Sequence, residues 1–564
     1  MKQNTIDKKR IILILAFLSI FILGTFLIFT TPSSIKVTYG KTVETKDGEI
    51  ISFNVFEPKN GKKNKPAILI GHGIMVNKEM LKGYAIELAA AGYVAIPFDF
   101  RGHGQSSGEL KTNLLVNDVK AIKKYLESRG DIDMDKLGYI GYSMGGSPGN
   151  KIVKDDEDFK CFIGVGTSLN IDDKDCENRT LNILMILAKY DEAFDLKRSK
   201  KEIANRLDID KDNVQVNRLY GSFEDGDATK LYLDDNSDHF LTAYDQDFIR
   251  EARDWVKNTF PRVDAVDQNF YVNLRVLILI LQLIGGIGFF ILILGPLCDI
   301  ILKPGEKASK ISTLDLEDYT KKSLILKTLV YSLILAIPGM LIMLPFFLFL
   351  PLSTAGFTLL LLYGQVFGIL ILLWRLGRKK LVSIKEMLKE PFRDTKKDTV
   401  KQIILGAILA ITLYTILYFS FGLNYIGIIP SLYTKMIWVP IYFFVVFIMY
   451  LIFGLLFHEI IQRKYSEFLD NTFTISVIVF SVQITYFIIV VLILSFIINS
   501  LFFLQFFYFA IPIFYFSSLI FTILYKKTEN ILSGIIINSL YLTLIICTLS
   551  PYMLGLDMIM IFSH

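Results

Sequence analysis

The distribution of apolar residues restricts the possible folds of this 564-residue chain more than any other feature. Residues 274–562 are dominated by long runs of Leu, Ile, Phe and Val, whereas residues 31–270 are polar and charged. With 52% hydrophobic residues and a mean hydropathy of +0.46, the chain is too apolar for a soluble enzyme. About 20 consecutive apolar residues suffice to cross a bilayer as a helix. We therefore predict one globular domain joined to a multi-span membrane domain.

A first apolar run extends from Ile11 to Thr30 and follows Lys8-Lys9-Arg10. Its length favours a retained anchor, because the apolar part of a cleaved signal is usually about 7–15 residues; cleavage after the Thr30-Thr31-Pro32 region stays open. The basic flank predicts a cytoplasmic N-terminus, so the domain that follows would be extracytoplasmic. We expect a stub and anchor over residues 1–34 and the globular domain over residues 35–270.

Eight further spans are predicted in a membrane domain over residues 271–564. Loops rich in Lys and Arg, such as 303–323 and 376–402, fall on the cytoplasmic side if the globular domain is outside. This agreement supports nine spans in a multi-pass protein of the cell membrane, although the Pro338 and Pro345 region could be broken or re-entrant. The eight spans lie near 274–302, 324–350, 355–375, 403–423, 436–457, 473–498, 501–525 and 531–551.

The globular domain reads as strands alternating with helices, which indicates a mostly parallel sheet covered by helices on both faces. Its strands are expected at 37–43, 50–57, 67–70, 93–100, 137–141, 161–165, 183–188 and 230–233. Its main helices are expected at 78–91, 117–129 and 245–260.

A Gly-x-Ser-x-Gly sequence, residues 141–145, directly follows the predicted strand that begins at Leu137. A sharp turn from strand to helix needs small residues on both sides of its apex, and it pushes the hydroxyl of Ser143 out of the sheet. That geometry makes a nucleophile. The pattern alone also occurs in ordinary turns, so the rest of the chain has to decide.

A serine nucleophile needs a histidine base and an acid that orients the base. His239 is the only histidine of the globular domain that follows Ser143, and Asp191 follows a predicted strand between them. Each of the three comes after a strand, which brings them to one edge of the sheet. We predict Ser143, Asp191 and His239 as nucleophile, acid and base. Glu192 or Asp195 stays open as the acid, and His239 could be an ordinary turn histidine.

Acyl transfer also requires backbone N–H groups that receive the negative charge of the carbonyl oxygen. Met144 is the first predicted donor because it follows the nucleophile at the start of a helix. The second should come from the Gly71-His72-Gly73-Ile74 loop, with Ile74 preferred over Gly73, while His72 is expected to support the loop. In the loop after the 93–100 strand, Asp99 and Arg101 should bind backbone and each other, and His103 lacks the second ligand of a metal site.

Together these motifs resemble the α/β-hydrolase family over about residues 35–265. The match comprises the His-Gly loop, Asp-x-Arg-Gly-x-Gly-x-Ser at 99–106 and Gly-x-Ser-x-Gly-Gly at 141–146. It is most similar to the esterase, lysophospholipase and dienelactone-hydrolase-like branches, and also resembles some serine peptidases. The resemblance implies an α/β-hydrolase fold and an acyl-enzyme mechanism with no metal or organic cofactor.

The predicted function is therefore that of a membrane-anchored, extracytoplasmic serine hydrolase that cleaves carboxylic esters, with lipid or cell-envelope acyl esters as candidates. The alternatives are an aminopeptidase or amidase, and a transport or receptor protein with a hydrolase-like binding domain. Expected partners are an ester substrate and membrane lipids. Nucleic acid is not expected, because the positive excess lies in short loops between apolar runs. Protein partners stay open.

Two features of the globular domain are less defined. The stretch from Gly166 to Leu181 leaves little room for the helical lid that many lipases carry, so the site is either open or shielded by the membrane domain. The segment from Glu192 to Tyr220 could shape the pocket rim or form a solvated helix and loop. Cys161 and Cys176 could pair outside the cytoplasm.

The predicted spans hold few polar groups, which argues against a pump or symporter. Isolated glutamines stand at positions 282, 365, 483 and 505. Glu459 and Arg463 lie four apart on one helical face after His458. This faintly resembles the Glu-x-x-x-Arg motif of intramembrane CAAX-type proteases, but Asn538 stands where that family has a histidine. A salt bridge at the membrane boundary is the other interpretation.

Overall fold

The computed structural model describes residues 8–59, 63–176, 179–302, 321–428 and 435–562. The chain begins with the apolar helix α1 (Lys8–Thr30). A nine-stranded sheet follows, with β1 (Ile35–Glu44), β2 (Ile50–Pro58), β3 (Lys65–Gly71), β4 (Val94–Phe98), β5 (Ile132–Tyr142), β6 (Phe159–Val165), β7 (Asn182–Tyr190), β8 (Leu219–Tyr220) and β9 (Thr229–Asp238).

The strands lie in the order β1-β2-β4-β3-β5-β6-β7-β9-β8. The pairs from β4 through β9 are parallel, whereas β1, β2 and the short β8 are attached antiparallel at the edges. The inner strands are apolar and buried because helices cover both of their faces. The carboxyl ends of β5, β7 and β9 therefore meet at one edge of the sheet.

Five helices cover the sheet: α2 (Lys82–Ala90), α3 (Leu115–Arg129), α4 (Gly146–Asp155), α5 (Leu196–Leu207) and α6 (Gln246–Thr259). Helices α3, α4 and α5 share one apolar core with the sheet, and α2 and α6 share the core on the opposite face. The eight predicted strands are present. The last of them is longer than expected, because β9 continues to Asp238, and β8 was not predicted.

The helical region contains α7 (Val272–Leu302), α8 (Lys321–Ile334), α9 (Ala336–Phe349), α10 (Ser353–Lys380), α11 (Ile384–Met387), α12 (Lys396–Leu417), α13 (Val439–Phe453), α14 (Arg463–Ser466), α15 (Thr472–Ile498), α16 (Phe506–Thr528), α17 (Leu532–Leu549) and α18 (Gly555–Phe562). Within the described ranges, eight helices of the whole chain, α1 included, are long and apolar enough to cross a membrane.

Counting the bent pair α8 and α9 as one span gives nine such helices. The pair bends by 52° at the break near Pro338, where a disrupted span was expected. The helices are compatible with a multi-pass membrane protein. The basic loop 303–323 falls almost entirely outside the described residues.

The sheet domain is fastened to the helical region by hydrogen bonds at several places. The Asn77 side chain donates to Gly427 O at 2.6 Å and accepts from Gly427 N–H at 2.9 Å. Tyr552 N–H donates to Gly102 O at 2.8 Å, and Tyr552 O accepts from Leu110 N–H at 2.9 Å. We call these contacts the interdomain seam. Because each of these contacts is a pair of hydrogen bonds, the sheet domain is held in a defined orientation over the helices.

Candidate active site

The turn at Ser143 is strained in the way that its sequence predicts. Ser143 has φ +51°, a conformation that residues with a side chain rarely adopt. A Cβ at Gly141 would lie 2.7 Å from Gly145 O, so only glycine fits there. The Thr167 hydroxyl donates to Ser143 O at 2.8 Å and so holds the strained residue in place. The Ser143 hydroxyl consequently stands clear of the backbone at the end of β5.

Three side chains from separate loops meet at this turn. His239 Nε2 lies 3.1 Å from Ser143 Oγ, and His239 Nδ1 lies 2.9 Å from Asp191 Oδ2. The side chains of His239 and Asp191 are 2% and 0% exposed, so water competes little for their hydrogen bond. We call Ser143, His239 and Asp191 the candidate triad. Its distances permit proton transfer from the hydroxyl to the imidazole while the carboxylate orients the ring.

The structure also separates the three acids that the sequence left open. Asp191 contacts the imidazole with Oδ2 and accepts from the N–H groups of Ala193 and Phe194 with Oδ1. Glu192 accepts instead from His239 N–H at 3.2 Å, and Asp195 caps α5 by accepting from Arg198 N–H at 2.8 Å. Asp191 is therefore the carboxylate that faces the ring.

Two residues that support His239 were missed at the sequence level. The Tyr142 hydroxyl donates to His239 O at 3.0 Å, and the two rings stack with centroids 5.3 Å apart. Gly166 has φ +51°, and a Cβ there would lie 3.1 Å from both Asp191 Oδ2 and His239 Nδ1. In the sequence, Gly166 directly follows a predicted strand and Tyr142 occupies a variable position of the serine motif, so neither indicates a contact with His239.

The loop predicted to supply an oxyanion donor is held by two histidines. His72 Nδ1 donates to Gly73 O at 2.7 Å, while His72 Nε2 accepts from Phe100 N–H at 3.1 Å. His103 Nε2 lies 2.6 Å from Ile74 O. Because a trans peptide points its N–H opposite to its C=O, fixing Gly73 O directs the Ile74 N–H away from His72. Gly73, Ile74 and Ser143 line one cavity, and Met144 follows Ser143 in the same turn.

Burial lowers the pKa of His72 to about 4 and that of His103 to about 3, so both rings are neutral at pH 7. A neutral ring donates one hydrogen bond, and each ring directs that bond to a loop carbonyl. The interpretation of His72 as a loop support agrees with these contacts. The sequence did not suggest the same role for His103.

The expectation that Asp99 and Arg101 bind each other is wrong. Asp99 forms a buried ion pair with Lys78 and accepts from Lys78 N–H at 2.8 Å. Arg101 instead pairs with Asp47 and with the buried Asp118. Each of the two side chains therefore has its ionic partner in another part of the chain.

The helical region closes the site where a lid was not expected. Phe502 and Phe506, from the segment that begins α16, line the same cavity as Ser143 and His239. Gln505 Nε2 donates to Glu192 Oε2 at 3.3 Å, and the Tyr508 hydroxyl bonds to Asp238 beside His239. Of the two options left by the short 166–181 stretch, the shielded one is therefore observed.

The segment from Glu192 to Tyr220 forms α5, a loop and β8. Its Phe194 lies against the His239 ring with centroids 5.6 Å apart. Cys161 is a buried free thiol, while the Cys176 side chain lies outside the described residues. Among the described side chains, one acidic group, Asp234, Asp245 and Asp247, has oxygens within 4.8 Å, but Asp245 already caps α6.

A second histidine–carboxylate cluster lies among the apolar helices, on a π-helical segment (Gly454–Gln462) between α13 and α14. His458 Nδ1 contacts Gln462 Oε1 at 2.6 Å, and its ring stacks on Phe521 at 3.9 Å. Glu459 accepts from Arg393 at 3.1 Å and from the Tyr525 hydroxyl at 2.9 Å. A salt bridge is present, but its cation is Arg393 rather than Arg463, because a π-turn moves residues four apart off a common face.

Comparisons with known proteins support the fold. Residues 62–214 match a protein-family model described as Serine aminopeptidase, S33. An uncharacterized protein of Mycobacterium tuberculosis is 30% identical over 103 residues, which are 18% of this chain and 36% of the relative. An uncharacterized 31.7 kDa protein of Escherichia coli is 30% identical over 132 residues, which are 23% of this chain and 44% of the relative. The matches thus span less than half the length of these curated relatives.

Among solved structures, an esterase of Pyrococcus furiosus aligns with 14% identity and a TM-score of 0.32, covering 40% of this chain and 93% of its own. The family match and the strand order confirm the predicted α/β-hydrolase fold joined to a helical region with long apolar helices. They support a hydrolase.

Proposed function

We propose that this chain is a membrane-anchored serine hydrolase that cleaves carboxylic esters through an acyl-enzyme on Ser143. The observation that carries the proposal is the candidate triad, with His239 placed 3.1 Å from the serine hydroxyl and 2.9 Å from Asp191. A strained serine, an imidazole and a buried carboxylate on three separate loops serve nucleophilic catalysis. Packing alone does not require them to meet.

In the proposed reaction, His239 Nε2 takes the Ser143 proton as Oγ attacks the ester carbonyl carbon. Asp191 holds the Nδ1–H tautomer and stabilises the imidazolium that forms. The N–H groups of Met144 and Ile74, or Gly73 in place of Ile74, receive the developing negative charge. The imidazolium then gives its proton to the departing alcohol, and water releases the acid by the same steps in reverse order.

The proposal is tested with a fluorophosphonate probe on the purified full chain. Wild-type protein should be labelled, and Ser143→Ala should not be. Ser147→Ala is the matched control, since that serine lies one turn further along α4 and should leave labelling intact. Equal labelling of Ser143→Ala and wild type would refute the assignment.

A second candidate, amide hydrolysis, is favoured by the family description Serine aminopeptidase, S33, over residues 62–214. A p-nitroanilide and a p-nitrophenyl ester of the same acyl group distinguish the two activities. The ester proposal predicts Ser143-dependent turnover of the ester that exceeds turnover of the anilide by more than their difference in intrinsic reactivity. The reverse result would favour the amidase.

We also propose that the sheet domain is extracytoplasmic. The basic residues Lys8, Lys9 and Arg10 lie at the start of α1, while the sheet follows its other end. A membrane-impermeant maleimide applied to intact cells should label Ser128→Cys, which is exposed on α3, and should spare Ser466→Cys, which is exposed at the end of α14. Labelling of Ser466→Cys alone would invert the topology.

A further inference from the structure

The cavity above Ser143 has two chemically different ends. At one end stand Ser143, His239 and the Gly73–Ile74 loop of the sheet domain. Most of the remaining wall comes from α10, α15, α16 and α17, the helices that are apolar enough to cross a membrane. We call this cavity the acyl chamber. It contains about 1030 Å³ of space outside atoms, part of which is open to solvent.

The helix side of the acyl chamber is apolar. Its wall includes Phe487, Phe509, Ile513, Phe514, Leu542 and Ile546. Of the lining residues that the structure describes on this side, none carries a charge. The Thr358 hydroxyl is occupied by Thr354 O at 2.9 Å, and the Gln505 amide by Glu192. The buried Thr354 hydroxyl is the exception, because it has no hydrogen-bond partner among the described residues. Such a wall suits hydrocarbon and excludes sugars, phosphates or peptides with charged side chains.

The chamber is a built site because its wall is fixed relative to the nucleophile. Gln505 and Tyr508 bond to Glu192 and Asp238, which lie directly beside Asp191 and His239 in the chain. The interdomain seam holds the loops after β3 and β4 to the helical region. A chain that extends from Ser143 therefore meets one defined set of apolar side chains.

We propose that the substrate is an ester of a long-chain fatty acid, whose acyl chain occupies the acyl chamber while its carbonyl lies at Ser143. This inference rests on the proposed serine hydrolysis. The acyl part is assigned to the chamber because its bond to Ser143 forms in the first half-reaction and breaks only in the second, whereas the alcohol must leave before water enters. Each buried methylene raises association from water about fourfold, so the chamber selects for chain length.

The test measures kcat/KM of the full chain in detergent micelles with p-nitrophenyl esters of four and sixteen acyl carbons. Ala510→Trp fills the chamber, since Ala510 is 9% exposed and lines it. Ile511→Trp is the matched control, because Ile511 is next to Ala510 in the chain but is 44% exposed on the outer face of the same helix. Partitioning of the esters into micelles is identical for both variants and cancels in the comparison.

We expect wild type and Ile511→Trp to prefer the sixteen-carbon ester, and Ala510→Trp to lower the sixteen-to-four ratio at least tenfold. Ala510→Leu should lower the same ratio by a smaller factor, which keeps the test valid if the tryptophan variant does not fold. An unchanged ratio in folded Ala510→Leu would overturn the inference. So would a preference that follows the alcohol, measured with hexadecyl butyrate against butyl butyrate.

Failure of the inference is distinguishable from failure of the proposed function. Ser143-dependent turnover of the four-carbon ester without chain-length selection would leave the hydrolase proposal standing and remove the lipid acyl substrate. If no ester is turned over and no fluorophosphonate labels Ser143, the hydrolase proposal itself falls, and the assignment of the chamber to an acyl chain falls with it.

Discussion

His239 and His458 each lie near a carboxylate, yet their ring nitrogens face different chemistry. His239 bridges Asp191 and a serine hydroxyl that is held in a strained turn and opens onto a cavity. His458 bonds the Gln462 amide and stacks on Phe521, while the adjacent Glu459 is occupied by Arg393 and Tyr525. The first cluster leaves a serine hydroxyl available at a cavity, whereas in the second the imidazole and the carboxylate contact neighbouring side chains.

The comparison shows that neighbouring residue types alone do not make a reactive site. His458 and Glu459 are adjacent in sequence, but each bonds a different partner on another turn or helix. His239 and Asp191 are 48 residues apart and meet because β7 and β9 are parallel neighbours whose ends share one edge. The meeting of His239 and Asp191 is a product of sheet topology rather than of local sequence.

The largest expected difference between the two clusters comes from removing each histidine in turn. His239→Ala should lower kcat/KM for a p-nitrophenyl ester by about 10⁴- to 10⁶-fold, because the base is lost. His458→Ala should stay within about threefold of wild type and instead lose about 1–3 kcal/mol of stability from the cavity beside Phe521. Comparable losses of activity in both variants, each still monodisperse, would assign catalysis to the wrong cluster or to both.

The carboxylates give the next largest contrast. Asp191→Asn should lower kcat by about 10³- to 10⁴-fold, since the amide favours the wrong imidazole tautomer. Glu459→Gln should retain activity but destabilise the chain by about 1–3 kcal/mol, because Arg393 then keeps a weakened partner in a buried position. Ester turnover and thermal unfolding in detergent separate the two effects. A kcat loss without a stability change in Glu459→Gln would contradict this division.

The two histidines that hold the loop predicted to supply an oxyanion donor, His72 and His103, make the stability of the sheet domain depend on pH. Their pKa values are lowered to about 4 and about 3 in the folded protein. Below pH 6.5 the unfolded chain therefore binds protons at these two histidines that the folded chain does not bind. Stability should therefore fall as pH falls, by roughly 2 kcal/mol per histidine between pH 6.5 and pH 5. Thermal unfolding across this range should show the decline, and His103→Gln should flatten it. An equally steep decline in His103→Gln would mean that this ring is protonated in the fold.

The smallest expected effect tests whether the apolar helices take part in the first cluster. Tyr508→Phe removes the hydroxyl that bonds Asp238 beside His239. We expect kcat to fall about two- to fivefold with little change in KM, as the histidine loop loses one support. Tyr515→Phe, on the same helix but packed against Phe473 and Phe480, serves as the control. Equal kcat values in the two variants would confine the positioning of His239 to the sheet domain.

Much of the fold could be predicted from the sequence because its signals are local. The spacing and length of the apolar runs predicted the strands and the apolar helices. The glycines on both sides of Ser143 predicted the sharp turn there. The candidate triad residues could be named because the domain has one histidine after Ser143 and because parallel strands share an edge. Whether they act as predicted is still to be tested.

What could not be predicted depends on contacts between distant segments. Nothing local marks Gln505, Tyr508 or Phe502 as neighbours of His239, since each is one polar or aromatic residue within an apolar run. The partner of Arg101 was misassigned for the same reason, because Asp47 and Asp118 come from other elements. The partner of Glu459 was misassigned because α-helical spacing was assumed, whereas a π-helical segment changes which residues share a face.

The interdomain seam bears on which ester bond of a substrate would reach Ser143. A hydrolase domain joined to its anchor by a flexible linker would reach ester bonds at many distances from the membrane surface. Paired backbone bonds at Tyr552 and the two-way contact of Asn77 with Gly427 remove that freedom. The distance between Ser143 Oγ and the ends of the apolar helices is then fixed, so only ester bonds at that depth would reach the serine. Under the proposed function, regioselectivity would be a property of the whole assembly, and a severed sheet domain would lose it even with the candidate triad in place.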